Sequence, residues 1–211
     1  MKFYDTLETI LESKELGYQP EPLGFEYTDL EPYLDAETCK LHYEKHYKGY
    51  IKKLNELLKN DSSISIEQLV RNIKDYDDGV RFNAGGYYNH SLLWTYLTPK
   101  KYRPSDEFLK ALNKKYKSYD KFKDAFNEKA MSIHGSGWCW LVVKSGKLDI
   151  ITTPNQDNPL MTREGRPILG LDCWEHQYYL KYHNRRDKWA DAFWKIVNWD
   201  VVSDNYSLAM D

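Results

Sequence analysis

The sequence has no long hydrophobic run and few cysteines, and both shortages limit what it can do. No apolar stretch approaches the roughly 18 residues of a membrane-spanning helix, so we expect no membrane span. The N-terminal segment lacks the apolar core of a signal peptide and the arginine-rich, acid-poor character of a transit peptide. The three cysteines, Cys39, Cys139 and Cys173, form no C-x-x-C pair. Their odd number favours unbridged thiols in the cytoplasm or another reducing compartment.

The chain also lacks the short motifs that identify several enzyme classes. It contains no G-x-S-x-G nucleophile elbow, no phosphate-binding glycine loop and no H-E-x-x-H pair. The formal net charge of −2 gives no reason to expect nucleic acid or a membrane surface as a partner. What the chain does have is an aromatic fraction of 15%, with eighteen tyrosines and seven tryptophans. This composition predicts a core or a partner surface rich in rings.

The hydrophobic pattern divides the chain into three parts. Residues 1–20 are predicted to form an N-terminal extension with weak helical periodicity, 21–99 a helical hairpin domain, and 100–211 an α/β domain. Within the hairpin domain, long helices are expected over 36–59, with Asp35 as N-cap, and over 82–97. Between them, Ser65-x-x-Gln68 has the spacing of a capping box.

The second domain is predicted to combine helices with a small sheet. Helices are expected over 105–114, 119–133 and 187–198, and strands over 138–143, 148–153 and 167–172. A hairpin signal at Lys144-Ser145-Gly146 joins the first two strands. The predicted fold class is therefore α+β, with a helical hairpin domain followed by an α/β domain that contains a three-stranded antiparallel sheet.

Two features of the predicted helices admit both a structural and a functional interpretation. His42, His46 and Tyr50 follow one another at four-residue intervals and share a helix face, which is more often a solvated polar stripe than a binding site. Gly85 and Gly86 lie inside a helix, where each costs roughly 1 kcal/mol relative to alanine. They indicate either a close helix crossing or room for another group beside a histidine four residues later.

A carboxylate and an imidazole follow the third predicted strand. Asp172 ends this apolar strand, and His176 lies four residues further on. A buried carboxylate must be paired or bound to a metal, so the pair is a plausible half of a metal site. Several imidazoles with one carboxylate suit iron or manganese better than calcium or magnesium, which prefer oxygen ligands.

The sequence contains, in this order, the motifs LHYEKHYKGY, FNAGGYYNHSLLW, GSGWCWLV, TPNQDNPL, LDCWEHQYY and VNWDVV. These six motifs resemble those of the iron/manganese superoxide dismutases, over about residues 23–206. The fifth contains D-x-W-E-H-x-Y-Y, the signature of the family. Its two variable positions, Cys173 and Gln177, receive no role from the resemblance.

The resemblance implies one Mn or Fe ion per subunit, with solvent as a fifth ligand. The implied protein ligands are His42, His90, Asp172 and His176. The implied residues around them are Tyr50 in the substrate funnel, His46 at its entrance, Trp138 and Trp174 as walls, and Gln156 as hydrogen-bond partner of the metal-bound solvent. The implied substrate is the superoxide anion, which would be converted with protons to dioxygen and hydrogen peroxide.

The resemblance also implies a homodimer, with a tetramer as the alternative. Glu175 would reach across the dimer interface to a ligand histidine of the other subunit, and Tyr179 would meet the partner's His46. Arg186 corresponds to an arginine near the funnel mouth.

The glycine at position 86 gives the expected metal. Members with Gly here and Gln in the N-Q-D segment are of the manganese type, so Gly86 with Gln156 favours manganese over iron, and the glycine is expected to make space for Gln156. Four residues depart from the usual pattern of the family, namely Tyr33, Tyr47, Tyr87 and Asp187. None of them replaces an implied ligand.

Two other functions fit these residues less well than that of a dismutase. A non-haem metal oxygenase would need a larger pocket than the implied aromatic walls leave. A metal-binding relative without turnover would be expected to lack a ligand, Tyr50 or Gln156, and the sequence keeps all of them.

Overall fold

A computed structural model describes residues 17–210, and the predicted α+β organisation is confirmed. The helices of the first part are α1 (Ala36–Leu41), α2 (Lys48–Leu57), α3 (Ile66–Arg71) and α4 (Asp78–Tyr96), with a 3₁₀ turn at Ile73–Asp75. Residues 1–16 of the predicted extension lie outside the described residues. The domain boundaries at 20 and 99 stay a prediction, although Tyr18 is buried and exchanges two hydrogen bonds with Asn55 of α2.

The long helix predicted over 36–59 has a wider turn in its middle. Asp35 caps α1 by accepting from the Thr38 amide at 2.8 Å, as expected. Between α1 and α2, however, His42–Tyr47 forms a π-helical segment. Such segments are rare and often occur at functional sites, because the extra residue in the turn reorients the side chains. Here the segment buries His42 and leaves His46 half-buried.

The second part holds the predicted sheet between helices. Its elements are α5 (Asp106–Tyr116), α6 (Tyr119–Met131), β1 (Gly137–Lys144), β2 (Lys147–Pro154), α7 (Pro159–Thr162), β3 (Arg166–Asp172), a 3₁₀ turn (Glu175–Gln177), α8 (Tyr179–Tyr182), α9 (Arg186–Phe193) and α10 (Trp199–Met210). The sheet is antiparallel with strand order β2-β1-β3. Ser145 and Gly146 both take positive φ at the tight turn of the predicted hairpin.

The prediction of a last helix over 187–198 was wrong in its extent. Helix α9 ends at Phe193, and a further helix, α10, follows. The chain turns between them and then pairs with the end of α4, where Val197 forms a bridge with Leu97. The Thr98 amide donates to the Ile196 carbonyl at 2.8 Å, and the Asn198 amide donates to the Tyr96 carbonyl at 2.7 Å. This tertiary pairing overrides the helical pattern of the local sequence.

The core connects the two parts of the fold. Strand β1 is buried from Gly137 to Val143, and β3 packs against α4. Consequently the carboxyl end of β3, where Asp172 lies opposite Trp138, faces the middle of α4. All three cysteines are free and buried, in agreement with the prediction of unbridged thiols. None of the described helices is long and apolar enough to cross a membrane.

Candidate metal centre

Four side chains from separate elements converge between the two parts of the fold. His42 comes from the π-helical segment, His90 from α4, Asp172 from the end of β3, and His176 from the 3₁₀ turn that follows. One ligand atom from each lies within 4.8 Å of those of the other three. The first three side chains are fully buried, and that of His176 is 15% exposed. The centre therefore opens to solvent on the side of His176.

The four atoms that face one another have no hydrogen-bond partner among the described residues. They are His42 Nε2, His90 Nε2, His176 Nε2 and Asp172 Oδ2. The distances from Asp172 Oδ2 to these three nitrogens are 3.3, 3.7 and 3.4 Å, respectively. Buried polar atoms without partners are costly, and a cation among them removes that cost. Three imidazole nitrogens and one carboxylate oxygen therefore fit a redox-active Mn or Fe ion.

Hydrogen bonds outside the cluster leave one carboxylate oxygen of Asp172 free to face the centre. Its other oxygen, Oδ1, accepts from the Trp174 amide at 2.7 Å. Its backbone carbonyl accepts from Trp189 Nε1 at 2.9 Å. These contacts hold the end of β3 and the start of the following turn in place. As a result, Asp172 Oδ2 and His176 both face the centre.

Two of the imidazoles are fixed by an acceptor at the nitrogen that points away from the centre. His90 Nδ1 lies 2.6 Å from the carbonyl oxygen of Gly86, one turn earlier in α4. His42 Nδ1 contacts Oε1 of the buried Gln177. An acceptor at Nδ1 keeps the proton there and leaves the lone pair of Nε2 for a metal. No described residue hydrogen-bonds Nδ1 of His176.

Burial and mutual proximity set the protonation states of His42, His90 and Asp172. Burial lowers the pKa of His42 and places the pKa of His90 well below its usual value, so both rings are neutral at neutral pH. Burial raises the pKa of Asp172, but His176 and His42 outweigh it and hold that pKa below its usual range. The centre thus presents the neutral imidazoles of His42 and His90 and the ionised carboxylate of Asp172.

Gln156 and Tyr50 form a hydrogen-bonded layer beside the cluster. Gln156 is buried, and its Oε1 accepts from Trp138 Nε1 at 3.0 Å and from Asn89 Nδ2 at 3.3 Å. With the oxygen thus oriented, Nε2 donates to the Tyr50 hydroxyl at 3.0 Å. Burial raises the pKa of Tyr50 to about 12, so the phenol keeps its proton. The Tyr50 ring lies 5.1 Å from that of His90.

The role expected for Gly86 needs correction. A Cβ at Gly86 would lie 2.5 Å from Cγ of Tyr50, so this glycine makes space for the tyrosine ring. The backbone of Gln156 is accommodated by the neighbouring glycine instead. A Cβ at Gly85 would lie 2.1 Å from the Gln156 carbonyl oxygen. Gly86 therefore makes space for the Tyr50 ring, and Gly85 makes space for the backbone of Gln156.

Aromatic rings surround the open side of the cluster. His46 stacks on His176 with centroids 4.0 Å apart, and Trp174 stacks on the same imidazole at 5.4 Å. Phe82, which the sequence did not single out, lies 5.8 Å from Tyr50 and 6.3 Å from Trp174. Burial and the neighbouring histidines lower the pKa of His46 to about 4, so the ring at the opening is neutral. The rings at the opening therefore carry no charge at neutral pH.

The three residues that the resemblance placed at the interface or the funnel mouth lie outside the cluster. Glu175 and Tyr179 are exposed, and neither hydrogen-bonds a ligand within the described residues. Arg186 donates to the carbonyl oxygens of Ile133 and Gly135 at 2.7 and 2.8 Å and thereby anchors the loop before β1. Asp187 does not engage it.

The four departures from the family pattern have partners away from the ligand atoms. Asp187 pairs with Arg185 at 2.8 and 2.6 Å. The Tyr47 hydroxyl lies 3.0 Å from Ser91 Oγ, and the Tyr87 hydroxyl donates to the Gln19 carbonyl at 2.9 Å.

Tyr33 uses only its backbone in this network, since its carbonyl accepts from the Tyr182 hydroxyl at 2.6 Å. The hydroxyls of Tyr47 and Tyr87 and the carboxylate of Asp187 are thus satisfied by hydrogen bonds, whereas any residue at position 33 would supply the same carbonyl.

Besides Phe82, sequence reasoning missed three residues that touch the site. Gln177 contacts His42, Asn89 orients Gln156, and Trp94 packs its ring 5.1 Å from that of His42. Asn89 and Trp94 lie within a quoted motif and at helical spacing from His90, which was the available signal. Gln177 lies directly after His176, but its contact with a residue far away in the chain leaves no local pattern.

Comparison with known families agrees with the geometry of the cluster. Residues 17–98 match the alpha-hairpin domain of the iron/manganese superoxide dismutases. Residues 104–205 match the C-terminal domain of the same family. Together the two matches include every residue of the cluster and of the hydrogen-bonded layer, and they cover most of the chain. The chain therefore belongs to the iron/manganese superoxide dismutases and is an oxidoreductase of that class.

Proposed function

We propose that the protein converts superoxide and protons to dioxygen and hydrogen peroxide by redox cycling of a single Mn or Fe ion held by His42, His90, Asp172 and His176. The observation that carries the proposal is the set of four buried, unpartnered ligand atoms within 4.8 Å of one another. Membership of the family supplies the reaction class.

The bound ion would supply one-electron oxidation and reduction by alternating between the +3 and +2 states. Around it, Gln156 uses one N–H for Tyr50 and keeps a second N–H for solvent at the centre. Tyr50 is half-buried and carries a proton that its high pKa retains. We propose that the second N–H of Gln156 orients solvent at the centre, and that Tyr50, which keeps its own proton, extends this hydrogen-bonded network to the water at the opening, which supplies the protons.

The proposed metal is manganese, with iron as the alternative. Gln156 reaches the centre from the loop after β2, and no side chain extends from position 86, where iron-type members carry their amide. The outer amide favours a particular protonation state of the solvent at the centre and so adjusts its redox potential. This placement supports the manganese type.

The rings around the opening support a small substrate such as the superoxide anion. His46 and Trp174 flank the exposed edge of His176, and Trp138 closes the buried side beside His90. We propose that these rings exclude larger reductants and keep the centre dry. A place for Arg186 at the funnel mouth stays a prediction, as does a reducing compartment for the three thiols.

A dimer would complete the centre. His176 is the one ligand imidazole whose Nδ1 has no acceptor within the described residues. A carboxylate from outside would supply it, and we propose the partner subunit's Glu175 in this role. The exposed Tyr179 and Leu180, 49% and 54% accessible, support an interface on this side. A tetramer is the alternative assembly.

The decisive experiment removes the metal and restores Mn and Fe separately. We expect the stripped protein to be inactive and the Mn-loaded protein to consume superoxide with one ion per subunit, faster than the Fe-loaded form. Stoichiometric metal without dismutation would refute the proposed reaction. Asp172→Ala is expected to lose both the metal and the activity, and an active, metal-free variant would refute the assignment of the ligands.

A further inference from the structure

One buried side chain of the signature motif contacts a proposed ligand but has no role so far. Gln177 occupies the variable position of D-x-W-E-H-x-Y-Y, directly after His176. It is fully buried, and its Oε1 meets Nδ1 of His42, 135 residues earlier in the chain. Its own Nε2 has no partner among the described residues. A buried amide with one unsatisfied end is costly, so this side chain is poorly explained by packing alone.

The contact decides between two tautomers of His42 that have opposite consequences. If the neutral ring carries its proton on Nδ1, it donates to Gln177, and Nε2 keeps a lone pair that faces the centre. If the proton is on Nε2, that nitrogen can donate to Asp172 Oδ2, which lies only 3.3 Å away. The second arrangement ties two proposed ligand atoms to each other. It therefore competes directly with metal binding.

The two fully buried imidazoles have different kinds of hydrogen-bond acceptor at Nδ1. His90 finds its acceptor in the backbone, at the carbonyl of Gly86. His42 lies in the π-helical segment, and the acceptor at its Nδ1 is the side chain of Gln177. Of these two imidazoles, therefore, only His42 depends on the identity of one amino acid for its acceptor.

We propose that Gln177 is a positioning residue that holds the proton of His42 on Nδ1, prevents the closure of His42 onto Asp172, and thereby preforms the metal centre. The inference rests on the proposed function, because it concerns the same ligand set. Gln177 is thus expected to affect metal affinity, and metal binding precedes every step of turnover.

The test compares metal retention in the parent, Gln177→Met and Gln177→Glu. Methionine keeps nearly the same length and volume but is a poor acceptor, whereas glutamate keeps an acceptor at the same position. Each protein is loaded with Mn²⁺ and, separately, Fe²⁺, and its affinity is measured by competition with a soluble chelator. The visible absorption of the oxidised Mn form is recorded as an independent report on the ligand field.

We expect Gln177→Met to lose 10–100-fold in affinity, the range typical of lost partners of ligand histidines, and to show a shifted absorption band. Gln177→Glu is expected to restore affinity to near that of the parent. A purely structural role predicts the opposite order, since methionine suits a buried site and a buried carboxylate does not. Equal affinities of the parent and Gln177→Met would overturn the inference, whether or not Gln177→Glu folds.

Cys173→Ala provides the matched control. Cys173 is the other variable position of the signature, is equally buried, and its thiol donates to the Leu171 carbonyl. Its replacement is expected to leave metal affinity unchanged, and a loss equal to that of Gln177→Met would overturn the inference. A parent protein that retains neither metal would refute the proposed centre itself, whereas tight binding by the parent and by Gln177→Met would refute only the role of Gln177.

Discussion

At the scale of single residues, the centre depends on close approach of backbone to backbone. Gly85 touches the carbonyl of Gln156 so closely that even one methyl group would lie 2.1 Å from that oxygen. A backbone atom cannot rotate away as a side chain can. The contact sets how closely the loop after β2 approaches α4. It thereby sets the position of the Gln156 amide.

Gly85→Ala is therefore expected to destabilise the fold and to displace Gln156. Overpacking of this kind costs typically 1–3 kcal/mol. The free energy of unfolding is measured by denaturant titration of the Mn-loaded protein. Gly49→Ala is the control, because a Cβ at that helical position meets no atom within 4 Å. Equal losses in the two variants would contradict the argument from close approach.

Gln156→Ala separates the hydrogen-bonded layer from the ligands. The variant keeps all four proposed ligand atoms but removes the donor to Tyr50 and the acceptor of Trp138. We expect the metal content to match that of the parent and turnover to fall by about 10–100-fold. Metal analysis and a superoxide-consumption assay on the same sample measure both. Unchanged turnover would show that the amide does not act on solvent at the centre.

Single residues were predictable where their chemistry is local in the sequence. Asp172 and His176 stood out because an acid and an imidazole follow an apolar strand at four-residue spacing. Gln177 did not stand out, because its contact partner lies on the π-helical segment. The effect of Gly86 was assigned to the wrong neighbour for a similar reason. From the sequence, an absent side chain shows that space exists but not which group fills it.

At the scale of secondary-structure elements, helix caps fix where the chain turns. Ser65 Oγ accepts from the Gln68 amide at 3.2 Å, and Gln68 Oε1 accepts in return from the Ser65 amide at 3.0 Å. Both halves of the predicted capping box are therefore present at the start of α3. The cap satisfies two backbone N–H groups that have no partner within the helix.

Ser65→Ala is expected to reduce the free energy of unfolding by about 1 kcal/mol. The loss arises because the amide of Gln68 is left without its acceptor. Ser63→Ala serves as control, since only the backbone of Ser63 is hydrogen-bonded, to Asp61. Thermal or denaturant unfolding of both variants measures the difference. A cost for Ser63→Ala as large as that for Ser65→Ala would argue against the cap.

The ends of helices and strands were predictable where a local sequence signal sets them. They were missed where contacts with residues distant in the chain set them. Residues 36–59 are helical in pattern throughout, so the π-helical turn within them leaves no trace in hydrophobic spacing. It coincides with the approach of His42 to its partners from β3 and the following turn. The break after Phe193 likewise results from pairing with the end of α4. Both features depend on tertiary contacts that a periodicity argument does not contain.

At the scale of the whole molecule, an ion pair joins the helical part to the loop that carries Gln156. Arg81 of α4 donates two parallel hydrogen bonds to Asp157, each 2.8 Å long. The pair is partly exposed, which limits its contribution to stability. Its geometric effect is larger, because Asp157 is the next residue after Gln156.

Arg81→Leu is expected to lower the free energy of unfolding by no more than about 1 kcal/mol, because the pair is partly screened by solvent. We expect turnover to fall more than stability does, since the loop loses a bidentate anchor beside Gln156. Arg71→Leu, which breaks the exposed Arg71–Glu67 pair within α3, is the matched control. The two variants are compared by unfolding and by superoxide consumption at full metal content. Equal activities would show that the loop holds its position without Arg81.

The assembly provides the last test, because the proposed function makes one ligand incomplete in a single subunit. Glu175→Ala is expected to weaken self-association and to lower metal affinity together, since the partner subunit's Glu175 would no longer accept from His176 Nδ1. Sedimentation across a concentration series measures the first effect, and chelator competition measures the second. Leu208→Ala controls for loss of exposed side-chain area. Leu208 is 56% exposed, and its carbonyl contacts Arg166 at the opposite end of β3 from Asp172. If Glu175→Ala dissociates the assembly yet binds metal as tightly as the parent, the centre is complete within one subunit.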